Sequence, residues 1–276
     1  HNPPNRYGAI VPTDVAAGFM SQWMETFAIA NGLHPVKEDG SINFDKKKTI
    51  DMLETYKALV EMSPEGIHHW QNGRDFYASD VVPLTFWASY LLDDIAGTRD
   101  NVPIMVDDNP QSLALAQDTN VIVGMAGPSN PDGGTWVEVH NFGVTVDANT
   151  DEAAAFIEYV MNEEYVTWLG MAPEGSFPIR PGPSAGSKIF IDEWGNLPIG
   201  VDRKIPINQI YSNEIIESLI NGLAVGTRWG AKEGQLPVAA KLVNSGLMNR
   251  LMMEYINGDR SAEDTVDMLN SEAAKL

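Results

Sequence analysis

Cysteine is missing from all 276 residues, which removes disulfide frameworks, cysteine-ligated zinc, iron–sulfur centres and thiol catalysis together. Positive charge is scarce too: 18 Lys and Arg face 38 Asp and Glu, a formal net charge of −20. A field of that sign repels nucleic acid phosphates and anionic headgroups, so no nucleic acid partner is expected. No apolar run approaches the ~20 residues of a membrane-spanning helix. The best candidates are interrupted by Pro83, Pro103 or Gly124. A Gly-x-Ser-x-Gly elbow, a phosphate loop and a dinucleotide glycine fingerprint are all absent, and the glycines between Gly222 and Gly234 have the wrong spacing for them. The opening His1-Asn2-Pro3-Pro4 carries neither a start methionine nor a basic-then-apolar leader, and reads as a processed or trimmed start.

What remains is the composition of a folded protein, 43% hydrophobic and 20% charged, long enough for one large or two ordinary domains. Tyr7–Pro12 reads as a strand. Thr13 or Asp14 then caps a helix with Phe19, Met20, Trp23, Met24 and Phe27 on one face, ended by Gly32. A hairpin turning at Asp39-Gly40-Ser41 leads to Asp45, the cap of a second amphipathic helix. Val81–Trp87, Val102–Val106 and Asn120–Met125 read as strands, with short helices at Ala88–Ile95 and Ser112–Gln117. The Gly127–Gly134 run predicts a linker and a domain crossing. Trp136–Val146 alternates as a strand does, and Asn149 or Thr150 starts a helix with Ala153, Phe156, Ile157 and Val160 inward. Six prolines and five glycines make Pro173–Pro206 a long loop. Helices follow at Ser212–Leu223 and Leu236–Ile256, and Ser261 caps a last one.

Few residues are placed for chemistry. His68 and His69 are adjacent and point apart, with no carboxylate at ligand spacing, so no metal is expected. Asp107-Asp108-Asn109 lacks the glycine and terminal glutamate of a calcium loop and reads as a solvated turn. A glycosidase needs two carboxylates about 5–10 Å apart, and sequence alone does not reveal such a pair. The aromatic residues stand out: seven Trp and eight Tyr, with Trp70, Trp87, Trp136, Trp194 and Trp229 at element ends or in loops. Trp229, in Thr227-Arg228-Trp229-Gly230 between two helices, either covers a ligand by stacking or anchors a core.

The succession of features resembles the later two thirds of an extracellular, sugar-binding solute-binding protein of ATP-driven importers. The residues that carry the resemblance are Tyr7–Gly32, the Asp39-Gly40-Ser41-Ile42-Asn43-Phe44 turn before a helix, and Val82-Pro83-Leu84-Thr85-Phe86-Trp87. They continue with Gly133-Gly134 into Phe142-Gly143-Val144-Thr145-Val146, then Asp151–Asn162, Gly175-Ser176-Phe177-Pro178-Ile179-Arg180, and Gly258-Asp259-Arg260-Ser261-Ala262-Glu263-Asp264 before the last helix. The resemblance implies an α/β fold of the periplasmic binding protein-like type II class, two-lobed with chain crossovers, whose N-terminal lobe is incomplete in this chain. Residues 1–134 and 206–276 would form the C-terminal lobe, and 135–205 would cross to the N-terminal lobe. Ligand-facing positions would be Thr13, Asp14, Phe86, Trp87, Gly134, Arg228 and Trp229, although Thr13 and Asp14 also fit a plain helix cap. The implied function is non-enzymatic: delivery of a mono- or oligosaccharide to a membrane permease, by a periplasmic or extracellular protein that is a monomer at full length and needs no cofactor. A carbohydrate-active hydrolase and a binder of an organic cation such as a polyamine stay open beside it.

Overall fold

The computed structural model describes residues 2–16, 18–102, 104 and 109–276. In chain order its elements are α1 (Gly18–Ala30), α2 (Lys46–Glu61), α3 (Trp70–Ala78), α4 (Leu91–Ile95), α5 (Ala114–Asp118), β1 (Met125–Gly127) and β2 (Asn130–Trp136). There follow α6 (Thr150–Asn162), α7 (Tyr165–Leu169), α8 (Ile189–Trp194), β3 (Pro198–Ile199), β4 (Ile205–Pro206), α9 (Ile207–Ile210), α10 (Asn213–Gly222), β5 (Gly226–Thr227), α11 (Leu236–Asn244), α12 (Leu247–Ile256) and α13 (Ala262–Ala273). They belong to two compact units. The first takes the chain up to Trp87, Ile122–Val137 and Asn221–Leu276; the second takes Ala88–Val121 and Glu138–Ile220. The chain therefore leaves the first unit after Trp87 and after Val137, and returns to it at Ile122 and Asn221.

Local capping chemistry sets several helix starts as the sequence indicates. Lys48 N–H donates to Asp45 Oδ1 at 2.9 Å, Glu152 N–H to Asn149 Oδ1 at 3.4 Å and Asp264 N–H to Ser261 Oγ at 3.1 Å. Each such bond satisfies an otherwise orphaned amide and is worth about 1 kcal/mol. The Asp39 turn also forms, with Oδ1 accepting from both Ser41 N–H and Ser41 Oγ–H. The first helix starts later than expected, at Gly18. Leu236–Ile256 is two helices, parted at Gly246, whose φ of +64° no helix interior accommodates.

The Gly127–Gly134 segment is not a linker. It pairs β1 antiparallel to β2, with Met125 opposite Gly134, and β2 runs parallel to β5, with Thr135 opposite Gly226. Its glycines serve close approach: a Cβ on Gly134 would lie 2.7 Å from Ile29 Cγ2 of α1, and one on Gly133 2.6 Å from the Gly124 carbonyl. The strand expected over Trp136–Val146 is also corrected. The ladder closes at Val137 N–H, which donates to Thr227 O at 3.3 Å, and residues 138–146 carry no strand. Tyr7–Pro12 and Val81–Trp87 lie side by side in parallel, joined by the Ile10–Thr85 bridge. Of the expected strand Val102–Val106, residues 103, 105 and 106 lie outside the described residues, as do Asp107 and Asp108. Asn120–Met125 reaches β1 only at Met125, and Pro173–Pro206 holds α8 and the antiparallel β3–β4 pair within its loop.

The core of the first unit gathers α1, α2, α12 and α13 around Phe27, Leu33, Phe44, Leu53, Trp229 and Leu251. An amide side chain fastens its two sequence extremes: Asn270 Oδ1 accepts from Phe44 N–H at 2.7 Å, and Asn270 Nδ2–H donates to Phe44 O at 3.1 Å. In the second unit Tyr165, Leu169 and Phe190 form a smaller core. Trp194 is fully buried there and donates to Pro173 O and Ser176 O, both at 3.0 Å, which pins the proline-rich loop. α6 turns out differently from its periodicity. Val160 is buried but Phe156 is 60% exposed, because a hydrophobic stripe faces inward only where a second layer exists to receive it.

Candidate functional site

Phe19, Trp70 and Trp87, half-exposed on the first unit, form one wall. Trp87 lies parallel to Trp70, with centroids 5.2 Å apart and planes 8° apart, and is stacked against Trp23 at 4.6 Å and 20°. The Arg74 guanidinium sits over Trp70 at 5.2 Å. Phe19, one turn before Trp23 on α1 and 38% exposed, meets Trp87 edge-on at 5.3 Å and His69 at 5.3 Å. The wall is held from behind. Trp23 Nε1–H donates to Phe86 O at 2.8 Å, and the Phe86 ring packs on Phe27 at 5.1 Å. Stacked and edge-on pairs of this kind each contribute about 0.5–1.5 kcal/mol beyond area burial. Both faces of Trp87 are used inside the stack, so the wall offers solvent the Phe19 ring and the edges of Trp70 and Trp87. A narrow crevice at its base is lined by Ile10, Trp23, His69, Trp70 and Phe86.

Thr13 and Asp14 sit beside this wall with different tasks. Thr13 is buried; its hydroxyl accepts from His68 N–H at 2.8 Å and donates to Gly66 O at 3.2 Å, so it is spent on the fold. Asp14 is half-buried and its Oδ1 accepts from Ala16 N–H at 3.0 Å. Of the histidines, His68 is buried with Nε2 2.7 Å from Pro64 O, and His69 belongs to the wall. Gly134 is buried against Ile29 of α1.

Arg228 and Trp229 belong to a second cluster, centred on a residue that sequence reasoning missed. Glu25 is 2% exposed. Its Oε1 accepts from Trp229 N–H at 2.7 Å and its Oε2 from Trp136 Nε1–H at 3.0 Å. Arg228 Nε and Nη2 approach the same two oxygens at 3.4 and 3.5 Å, while Arg228 Cζ lies 4.7 Å from the Trp136 ring centre. The sequence signal was present: Glu25 is the single charged residue of α1. The Trp229 indole does not form a floor with Trp87. It is 2% exposed, packs edge-on to Phe44 at 6.4 Å and donates from Nε1 to Leu33 O at 2.9 Å, because a large apolar ring gains more from burial than a loop position loses by folding inward.

The second unit holds its own buried acids. Arg99 Nε pairs with Asp93 Oδ2 at 2.8 Å and Asp94 Oδ1 at 2.9 Å, which makes those carboxylates parts of an ion network. Glu174 is buried nearby, and burial, seconded by the Asp93 charge, pushes its carboxyl above the usual range. Among the described residues no group of three or more His, Asp or Glu is arranged to hold a metal ion.

No family model and no curated protein matches the chain. Solved structures do. A solute-binding protein of an ABC transporter from Thermotoga lettingae, bound with alpha-D-tagatose, superposes with a TM-score of 0.56 at 12% identity, over 98% of this chain and 59% of that one. A solute-binding protein of an ABC transporter from Agrobacterium radiobacter, in complex with ribitol, superposes with a TM-score of 0.62 at 14% identity, over 98% and 60%. The chain thus spans about three fifths of the length of these structures. Over that share, the chain has the α/β fold of these solute-binding proteins.

Proposed function

We propose that the chain is the substrate-binding component of an ATP-driven importer, taking a small sugar or polyol and handing it to a membrane permease without catalysing a reaction. The observation that carries this reading is the half-exposed wall of Phe19, Trp70 and Trp87, placed where the chain leaves the first unit, on a fold whose solved neighbours hold tagatose and ribitol. Sugar C–H faces pack on aromatic surfaces while their hydroxyls need acceptors and donors alongside. Asp14 supplies carboxylate oxygens beside the wall, and Trp136 and Arg228, from the second and third segments of the first unit, supply a second polar and aromatic patch. Thr13, Phe86 and Gly134 act behind these residues, as supports. In this reading the first unit is the C-terminal lobe, the second belongs to the N-terminal lobe, and the protein works as a monomer in the periplasm or outside the cell. No helix of the described residues is long and apolar enough to cross a membrane.

The test is titration of the protein with ribitol, tagatose and a panel of other sugars and polyols, followed by saturation-transfer NMR, which detects millimolar binding, and by indole fluorescence. Saturable binding is expected, with the ligand recovered unchanged. Phe19→Ala should weaken it roughly tenfold, as truncation of an interface anchor does, at a stability cost of about 1–3 kcal/mol from the lost edge-on contacts with Trp87 and His69. Conversion of the ligand to product by repurified protein would refute the reading, as would failure of the whole panel to bind.

A further inference from the structure

We infer that Glu25 is a positioning residue: it holds the Arg228 guanidinium over Trp136 and cancels its charge, so that this patch selects neutral polyhydroxyl ligands against their acidic counterparts. The inference rests on the sugar or polyol reading above and adds a specificity to it.

An unpaired carboxylate in the interior of a helix that packs on the core is costly unless its oxygens are fully bonded and its charge is met. Two segments distant in sequence converge on Glu25 for that purpose: the end of β2 through Trp136, and the 228–229 pair through the Trp229 backbone and the Arg228 side chain. The two shorter bonds, at 2.7 and 3.0 Å, come from uncharged N–H groups. They reach different carboxylate oxygens, so a neutral amide in the same place would keep one of them and turn its NH2 toward the other donor. Arg228 alone brings the opposite charge. Its Nε–Nη2 edge faces Glu25 and its Cζ lies 4.7 Å from the Trp136 ring centre, an arrangement that holds the guanidinium at two sides while the side chain keeps 35% of its surface exposed.

The consequence is electrostatic. A guanidinium paired with a buried carboxylate keeps its capacity to donate a hydrogen bond to a hydroxyl, because that capacity depends on N–H geometry. Its long-range attraction for a second carboxylate is largely removed, because an approaching anion meets Glu25 just behind the cation. The chain's charge of −20 acts in the same direction. A sugar alcohol loses nothing by this, whereas a sugar acid forfeits the attraction a free arginine would give it.

The measurement compares ribitol with glucuronate on the wild-type chain, Glu25→Gln, Arg228→Met and the double variant, by saturation-transfer NMR or calorimetry, with a thermal melt of each. The wild type should prefer ribitol. Glu25→Gln keeps side-chain size and an acceptor oxygen but uncovers the cation, so the ribitol-to-glucuronate affinity ratio should fall at least tenfold. Arg228→Met should weaken ribitol several-fold with no gain for glucuronate, and the double variant should lose the shift seen in Glu25→Gln. A purely structural Glu25 would weaken both ligands alike and leave the ratio unchanged, which would overturn the proposal. So would a wild type that prefers glucuronate. If Glu25→Gln fails to fold, Arg228→Met still decides, since unaltered ribitol affinity in that variant refutes the role given to the guanidinium. Ribitol binding with an unmoved ratio would sink only the Glu25 proposal, whereas no binding of any sugar or polyol would sink the function beneath it.

Discussion

Replacing Trp229 by alanine separates a core anchor from a ligand platform. The structure makes it an anchor: the indole is 2% exposed, its ring edge meets Phe44, and its N–H is bonded to Leu33 O. Truncating a buried Trp costs about 3–5 kcal/mol, and the stranded Leu33 carbonyl adds about 1–3 kcal/mol where no water reaches it. The void has little scope to collapse, since the Trp229 backbone is itself tied to Glu25. At about 2–4 °C per kcal/mol for a domain of 150–250 residues, a loss near 4 kcal/mol lowers the melting temperature by about 8–16 °C. Circular dichroism melts and urea titrations read this directly, with two transitions fitted because two units need not unfold together. The transition of the first unit should move and that of the second should stay. Trp229→Phe, which keeps most of the ring but not the N–H, should lose less, about 1–3 kcal/mol. The reasoning fails if Trp229→Ala shifts the melt by under about 2 °C, within the scale of a surface change, while ribitol binding disappears.

Two further outcomes follow from buried polar contacts. Burial, then Asp93, raises the Glu174 carboxyl above its unfolded range, so its contribution to stability is full below the ordinary carboxylate pKa and is lost as pH rises through the raised one. Glu174→Gln should therefore raise the melting temperature at pH 7 and lose that gain at pH 4; an equal gain at both would contradict it. Asn270→Ala removes both bonds to the Phe44 backbone and should cost about 1–3 kcal/mol, with faster hydrogen exchange at the Phe44 amide. Normal protection there would refute the bracket.

The features legible in the sequence are those decided within a few residues. Asp45, Asn149 and Ser261 cap their helices because the amide they satisfy lies three positions on, and the Asp39 turn closes on Ser41 for the same reason. Features decided by distant partners were not legible. The glycines at 133 and 134 look like a linker until Gly124 and Ile29 are brought against them. Phe156 has a helical period that points inward, but no layer covers it. Within the site, the aromatic residues were visible as types, and Trp87 does lie in an exposed wall. That Trp229 turns into the core, that Thr13 is consumed by the 66–68 loop, and that Glu25 gathers Trp136, Arg228 and Trp229 each depend on contacts across 55 to 204 residues.

The Asn270 bracket has a consequence for how the chain comes to be folded. Phe44 is synthesised 226 positions before its partner, and Val266, Leu269 and Ala273 of α13 fill the same core as Met20 and Phe27 of α1. The first unit therefore cannot close until α13 has been made, whereas the last residues of the second, up to Ile220, are synthesised before α11, α12 and α13. Contacts of such long sequence separation make closure slow, and in the interval the aromatic face of α1 is uncovered. A nascent chain released before Asn270 would hold an unclosed first unit, with Phe19, Trp23 and Phe27 open to aggregation or to a chaperone.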